Sequence, residues 1–208
     1  MAKTRRRRDR DYHHGDLPST LLVEARKMLE QAGPEAISFR AIARAAGVSQ
    51  TAPYNHFSSK EHLLATLATS GFRKLEGSQA AAARGARSDK APIERLARAY
   101  VRFACRQPQL YRLMFGVGMP SWHALPEVAA AKKASFAPLQ EALAAHLRRT
   151  GRGSGSSGAV TLETAAVAAW SLAHGLSMLL IDGALEVRRD IDAEKLAGRA
   201  AELLIAGL

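Results

Sequence analysis

The chain is short of cysteine, of acidic residues and of uninterrupted apolar runs, and each shortage removes a class of protein. Cys105 is the single cysteine among 208 residues, so no disulfide can staple one chain, and a reducing, cytoplasmic compartment suits it. With no second thiol to resolve an oxidised form, Cys105 reads as a packed core side chain ahead of a redox sensor. The most apolar stretch, around Leu172 to Ala184, is broken by His174, Gly175, Ser177 and Asp182. It reads as too short to cross a bilayer, so no membrane partner is expected. Lys3, Arg5, Arg6, Arg7, Arg8 and Arg10 open the chain, but no apolar segment follows them, unlike a signal peptide. No glycine elbow, phosphate loop or metal-ligand spacing accompanies the Ser, His and Asp residues, so neither enzyme chemistry nor a cofactor is implied. Strand-like alternation is missing too, which leaves helix as the regular structure.

What the chain does hold is basic charge and helix formers. The net charge of +11 favours a polyanionic partner, although an Arg-rich, Ala-rich composition produces such a balance by itself. Residues 1–60 carry 11 Lys/Arg against 6 Asp/Glu, and residues 61–208 carry 19 against 13, so the excess is denser at the start. Residues 1–14 read as a basic flexible arm, either a non-specific electrostatic tail or an extension entering a minor groove. His13, His14 and Asp16 could ligate a metal, but no matching cluster lies elsewhere, so no metal site is expected.

The helix formers Ala, Leu and Arg dominate, and an all-α fold follows. Helices are predicted over residues 18–32, with Asp16 as cap, then behind Ser38, over 50–57, and from Ser58 or Ser59 through Leu75. A joint at Ser88 to Pro92 precedes a larger body with helices over 93–106, 109–115, 126–149, 162–184 and 193–206. Gly151 to Gly158 reads as a flexible loop.

Function concentrates between Ser38 and Phe57. Ser38 suits an N-cap, and Ile42, Ala43 and Ala46 point inward from the helix behind it. Gly47 ends that helix, where a left-handed residue free of Cβ strain is favoured. Val48 is apolar and plugs the angle, Ser49 suits the cap of the next helix, and Pro53 falls near its first turn. Ala43 is small enough for close helix approach. Together these residues spell a helix-turn-helix.

The segment resembles the DNA-binding head of the TetR family over residues 15–75. The resemblance is carried by Gly33, Ser38, Ile42-Ala43, Ala46-Gly47-Val48-Ser49, Tyr54, His56-Phe57, Lys60-Glu61 and Leu63-Leu64. It implies a homodimer that places two recognition helices in successive major grooves of a palindromic operator in double-stranded DNA, about 34–36 Å apart. Gln50 and Thr51 would reach base edges, with Asn55 as a third reader. Tyr54, His56 and Lys60 would hold phosphate, as would Ser38 and Arg40 at the start of their helix. Simple packing competes for Phe57 and for the Tyr54 ring, and a solvated tip competes for His56. Family members resembling the string Tyr12 to Leu17 commonly carry a basic residue next, whereas this chain has Pro18.

Trp170, His174 and Gly175 match the family's WHG type of C-terminal domain, which implies an effector-binding and dimerisation body over residues 92–208. Trp170 and His174 share a helix face. Ligand-pocket candidates are Phe103, Tyr111, Met114, Phe115, Phe136, Trp170 and His174, with Tyr100, Ala104, Trp122 and Leu139 behind them. Their apolar and aromatic character suits a small, mainly apolar effector. Ala165, Ala166, Ala169 and Ala173, with Leu196, Ala200, Leu203 and Leu204, would pair across a two-fold axis as a four-helix bundle or else close the monomer's own core.

Overall fold

The computed structural model describes residues 17–84, 91–116, 121–151, 160–185 and 192–207. The arm over 1–14, the string holding His13, His14 and Asp16, Ser88 to Lys90 of the joint, and most of the glycine-rich loop lie outside them. Among the described residues all regular structure is helical, in two compact units that divide after Leu63.

The first unit begins with α1 (Leu17–Ala32), which buries Leu21, Ala25 and Leu29, a spacing of four that keeps one face inward. Gly33 ends it at φ 76° and leads into a short 3-10 helix, Pro34–Ala36. Next comes α2 (Phe39–Ala46), which starts as the sequence predicts: the Ser38 Oγ accepts the Ala41 N–H at 3.2 Å. It also ends as predicted, with Gly47 left-handed at φ 70° and ψ 28°. Phe39, Ile42 and Ala43 are buried, and the Val48 N–H donates to the Ala43 carbonyl at 3.0 Å.

The following element differs from expectation. Instead of an α-helix over 50–57, a 3-10 helix spans Ala52–Asn55. Pro53 has no N–H to extend an α-helical ladder; Tyr54 N–H to Thr51 and His56 N–H to Pro53 are of the tighter 3-10 kind, and only Phe57 N–H, reaching the Pro53 carbonyl at 2.9 Å, has α-helical spacing in this stretch. Nor does the Ser49 hydroxyl cap it. Its carbonyl accepts the Ala52 N–H, while its Oγ lies 3.2 Å from Thr51 Oγ1.

Helix α3 (Lys60–Arg84) is capped by Ser59, whose Oγ accepts the His62 N–H at 3.1 Å. Glu61 in its first turn is held below the usual carboxylate range by its own backbone N–H and then by Ser59. From Leu64 onward the chain belongs to the second unit. That unit adds α4 (Ala91–Arg106), α5 (Pro108–Phe115), a 3-10 helix over Ser121–Ala124, α6 (Pro126–Thr150), α7 (Leu162–Ile181) and α8 (Ala193–Gly207).

Helix α4 is central, packing on α6, α7 and α8. Its contact with α8 is close because of Gly198, where a Cβ would come within 2.6 Å of Arg98 Nε. Arg95 donates to the Ala82 carbonyl at 2.9 Å, satisfying the C-terminal end of α3.

Three expectations change here. Ala165, Ala166 and Ala169 turn into the body's own core with Ile93, Leu143, Leu147 and Ile205, because α7 must approach α4 and α6 closely. Helix α7 is also long and apolar enough to cross a membrane by length and composition. Its alanine-rich first half extends the apolar stretch N-terminal to the break at His174. Cys105, expected in the core, is exposed, since α4 buries Phe103 and Ala104 and turns the next residue outward.

Candidate functional site

In the first unit, the predicted contact residues lie at the surface. Ser38, Arg40, Gln50, Thr51, Tyr54, Asn55 and His56 are exposed, and Lys60 is half-buried. The scaffold below them is apolar: Phe39, Pro53 and Phe57 are buried. The Tyr54 ring meets Phe39 edge-on at 4.7 Å between centroids, yet the residue remains 64% exposed. One ring edge therefore packs while the rest of the side chain faces solvent. The same contact sets the start of α2 beside the 3-10 helix. That juxtaposition gathers Ser38 and Arg40, next to Phe39 in sequence, with Tyr54 and its neighbours. The first N–H groups of α2 lack intrahelical acceptors and favour an anion. Lys60 faces Glu35 at 3.9 Å, a loose pair with an almost fully exposed partner, so its charge stays available.

His62 went unremarked in the sequence. Its Nδ1 accepts the Ser58 N–H at 3.3 Å, and its ring lies against Phe57, which closes the turn between the 3-10 helix and α3. No sequence motif marks that role.

The second unit holds a cavity of about 750 Å³, within the usual size of small-molecule sites. Leu75 and Gln79 of α3 line it, with Ile93, Leu96 and Tyr100 of α4, and Val167, Trp170 and Leu176 of α7. Ala201 and Leu204 of α8 complete that mainly apolar wall, His123 comes from the 3-10 helix Ser121–Ala124, and Lys132, Lys133 and Phe136 come from α6.

Residues 21–67 match the model of bacterial regulatory proteins of the tetR family, and residues 93–204 match that of the tetracyclin repressor-like C-terminal domain. The chain belongs to the TetR family. It is a transcriptional regulator with a DNA-binding helix-turn-helix head and a helical body. Among solved structures it resembles a protein of unknown function from Rhodococcus sp. RHA1, 31% identical, with a TM-score of 0.80, covering 96% of this chain and 99% of that one. The TetR regulator PfmR from Thermus thermophilus shares the fold at 24% identity and a TM-score of 0.66, over 90% and 98% of the two chains. So does the regulator FadR from Bacillus subtilis, solved in complex with stearoyl-CoA, at 14% identity and 0.71, over 92% and 99%. No curated protein matches the sequence.

Within this TetR-family body, Phe115, Phe136 and Trp170 line the cavity, as do Tyr100 and Leu139. Phe103, Tyr111, Met114 and His174 do not, and neither do Ala104 and Trp122. Tyr111 and Met114 are fully buried beneath the wall, and Phe103 borders a separate small cleft beside Lys74, Arg102 and Arg106. The WHG residues instead build a buried polar knot. Trp170 Nε1–H donates to the Tyr100 hydroxyl at 3.1 Å, and the Tyr111 hydroxyl lies 2.9 Å from that oxygen and 2.6 Å from His174 Nδ1.

Burial pushes the Tyr100 hydroxyl up to about 12, raises Tyr111 as well, and lowers His174. All three groups are therefore neutral hydrogen-bonding partners near neutral pH. Trp170 both joins the knot and faces the cavity. Sequence periodicity could have found Ile93 and Leu96, three apart, on one inward face, and Leu204 already stood in the apolar stripe read for the last helix. Nothing local distinguishes His123 or Lys132 from surface residues.

Proposed function

We propose that this regulator is a homodimeric, ligand-responsive repressor, released from a palindromic operator when a small, mainly apolar molecule enters the body. The carrying observation is that α3 starts at Lys60 in the head and supplies Leu75 and Gln79 to the cavity wall. A ligand that fits one orientation of α3 better than another biases the head, and only such differential affinity shifts the equilibrium.

In this reading residues 15–75 and 92–208 are the two functional domains. Gln50, Thr51 and Asn55 read bases, and Ser38, Arg40, Tyr54, His56 and Lys60 hold the backbone. Their exposure over a buried aromatic scaffold supports the assignment. The dimer is supported by apolar side chains left uncovered on α7 and α8 away from the cavity: Leu179 is 44% exposed and Leu203 78%. The FadR complex supports the idea that a body of this fold can hold a small molecule. The regulator would act in the cytoplasm.

The test selects genomic fragments bound by the purified protein, maps the protected site, and measures mass by light scattering. A palindromic footprint and a dimer mass are expected. A monomer at micromolar concentration would overturn the geometry, and persistence of the complex across a screen of apolar ligands would overturn the ligand response.

A further inference from the structure

We propose that the body cavity takes an amphipathic anion, its apolar part against α4, α7 and α8 and its acidic head between His123 and Lys132. The proposal deepens the reading of the cavity as the effector site and rests on it. Three features of the lining carry it.

The first is the distribution of polarity. Helices α4, α7 and α8 contribute Ile93, Leu96, Val167, Leu176 and Leu204, surfaces that suit hydrocarbon. The charge comes from one place only, the 3-10 helix Ser121–Ala124 and the part of α6 packed on it, with His123, Lys132 and Lys133. Among the described lining residues there is no Asp or Glu. A cationic ligand would meet uncompensated positive charge.

The second is the state of the other polar groups. The Ser135 hydroxyl already donates to the Lys132 carbonyl at 2.8 Å, and the Tyr100 hydroxyl belongs to the knot with Trp170 and Tyr111. Both are engaged within the protein; of the other polar lining residues, Gln79 and Ser121 are neutral, so positive charge for a ligand comes from the lysines and the imidazole.

The third is His123 itself. Both its ring nitrogens are buried without a well-formed hydrogen bond, though the Leu113 carbonyl lies near enough to favour the protonated form. Buried polar atoms left unpaired are costly and uncommon; His123 is among the cavity-lining residues, and a turn of its ring off Trp122 would bring a nitrogen to an occupant. Burial, and then the Lys132 charge, hold this imidazole below its usual range. An anion seated between the two offsets the second effect and accepts from both side chains. A neutral apolar ligand would bury the same groups with nothing to pair them.

The experiment titrates the full chain with dodecanoate, 1-dodecanol and dodecyl phosphate by calorimetry, with Trp170 fluorescence as a second signal. Dodecanoate is expected to bind about tenfold or more tighter than the alcohol, the low end for one charge-assisted hydrogen bond. Lys132→Met should erase that preference by weakening dodecanoate while dodecanol binds as tightly or tighter, and Lys132→Arg should keep it. His123→Leu should remove part of it. Tighter binding of dodecyl phosphate than of dodecanoate would also support the anion and identify the head as phosphate. Equal binding of acid and alcohol overturns the anionic head yet leaves an apolar effector site standing. Binding of none of the three sinks both readings together.

Discussion

In the head, the groups assigned to a partner stand outside and the packing stays inside: Gln50, Thr51 and Tyr54 are exposed above buried Phe39, Pro53 and Phe57. In the body the arrangement is reversed. Its candidate site is a recessed, partly open cavity of about 750 Å³, and several aromatic residues that looked like ligand contacts are the solid wall behind it. The difference follows from the partners. A rigid DNA duplex is met by a convex surface of polar side chains, whereas a small apolar molecule must be surrounded to gain from burial. A surface site can be read from exposed polar residues next to a turn. A recessed site depends on which apolar residues leave room.

The sharpest way to break the comparison is to damage each core separately. Leu21→Ala in the head and Leu143→Ala in the body each remove a fully buried side chain and should cost about 2–5 kcal/mol. Urea unfolding should show the loss in both variants. Leu21→Ala should abolish DNA binding while dodecanoate titration stays near normal, and loss of both activities in either variant would argue against separable units. Next in size, Gln50→Ala and Tyr54→Phe should each weaken operator binding, Gln50→Ala by about 1–3 kcal/mol in a gel-shift titration, with little change in melting temperature because Phe keeps the ring against Phe39. An unaltered affinity in both would remove the recognition assignment.

Smaller still, Ser38→Ala deletes the cap on α2 and should lower head stability by about 1 kcal/mol, which a thermal melt would register. The least effect concerns pH. His174 and His123 are both held below the ordinary value of 6.5, so unfolding takes up protons there. Body stability should therefore rise with pH through this range and fall as the pH drops below about 6.5. His174→Gln should flatten the dependence measured by thermal melts, and an identical profile in that variant would assign it elsewhere.

Most of the head could be read before the structure, since local rules govern it. A serine at an N-cap, a glycine at φ 70° and a proline near a first turn each act within a few residues. Even so, Pro53 shortened the recognition element to Ala52–Asn55, a local effect weighed too lightly against the helix-turn-helix pattern. The body was less readable. Its helix positions followed from composition and caps, but the fate of Tyr111 and Met114 did not, because a wall residue and a lining residue look alike in one dimension.

The sequence by itself determined the helical class, the turn between α2 and the recognition element, and the family likeness, all properties of neighbours along the chain. Tertiary structure decided what the WHG residues do and where the cavity lies. Tyr111 and His174 are 63 positions apart yet sit at 2.6 Å. His123 is left unpaired at a cavity bounded also by α4, α7 and α8. Those outcomes come from helices packing at particular distances, with Gly198 admitting Arg98 and the alanines of α7 admitting α4 and α6. Spacing along the chain holds no record of the volume that such packing leaves empty.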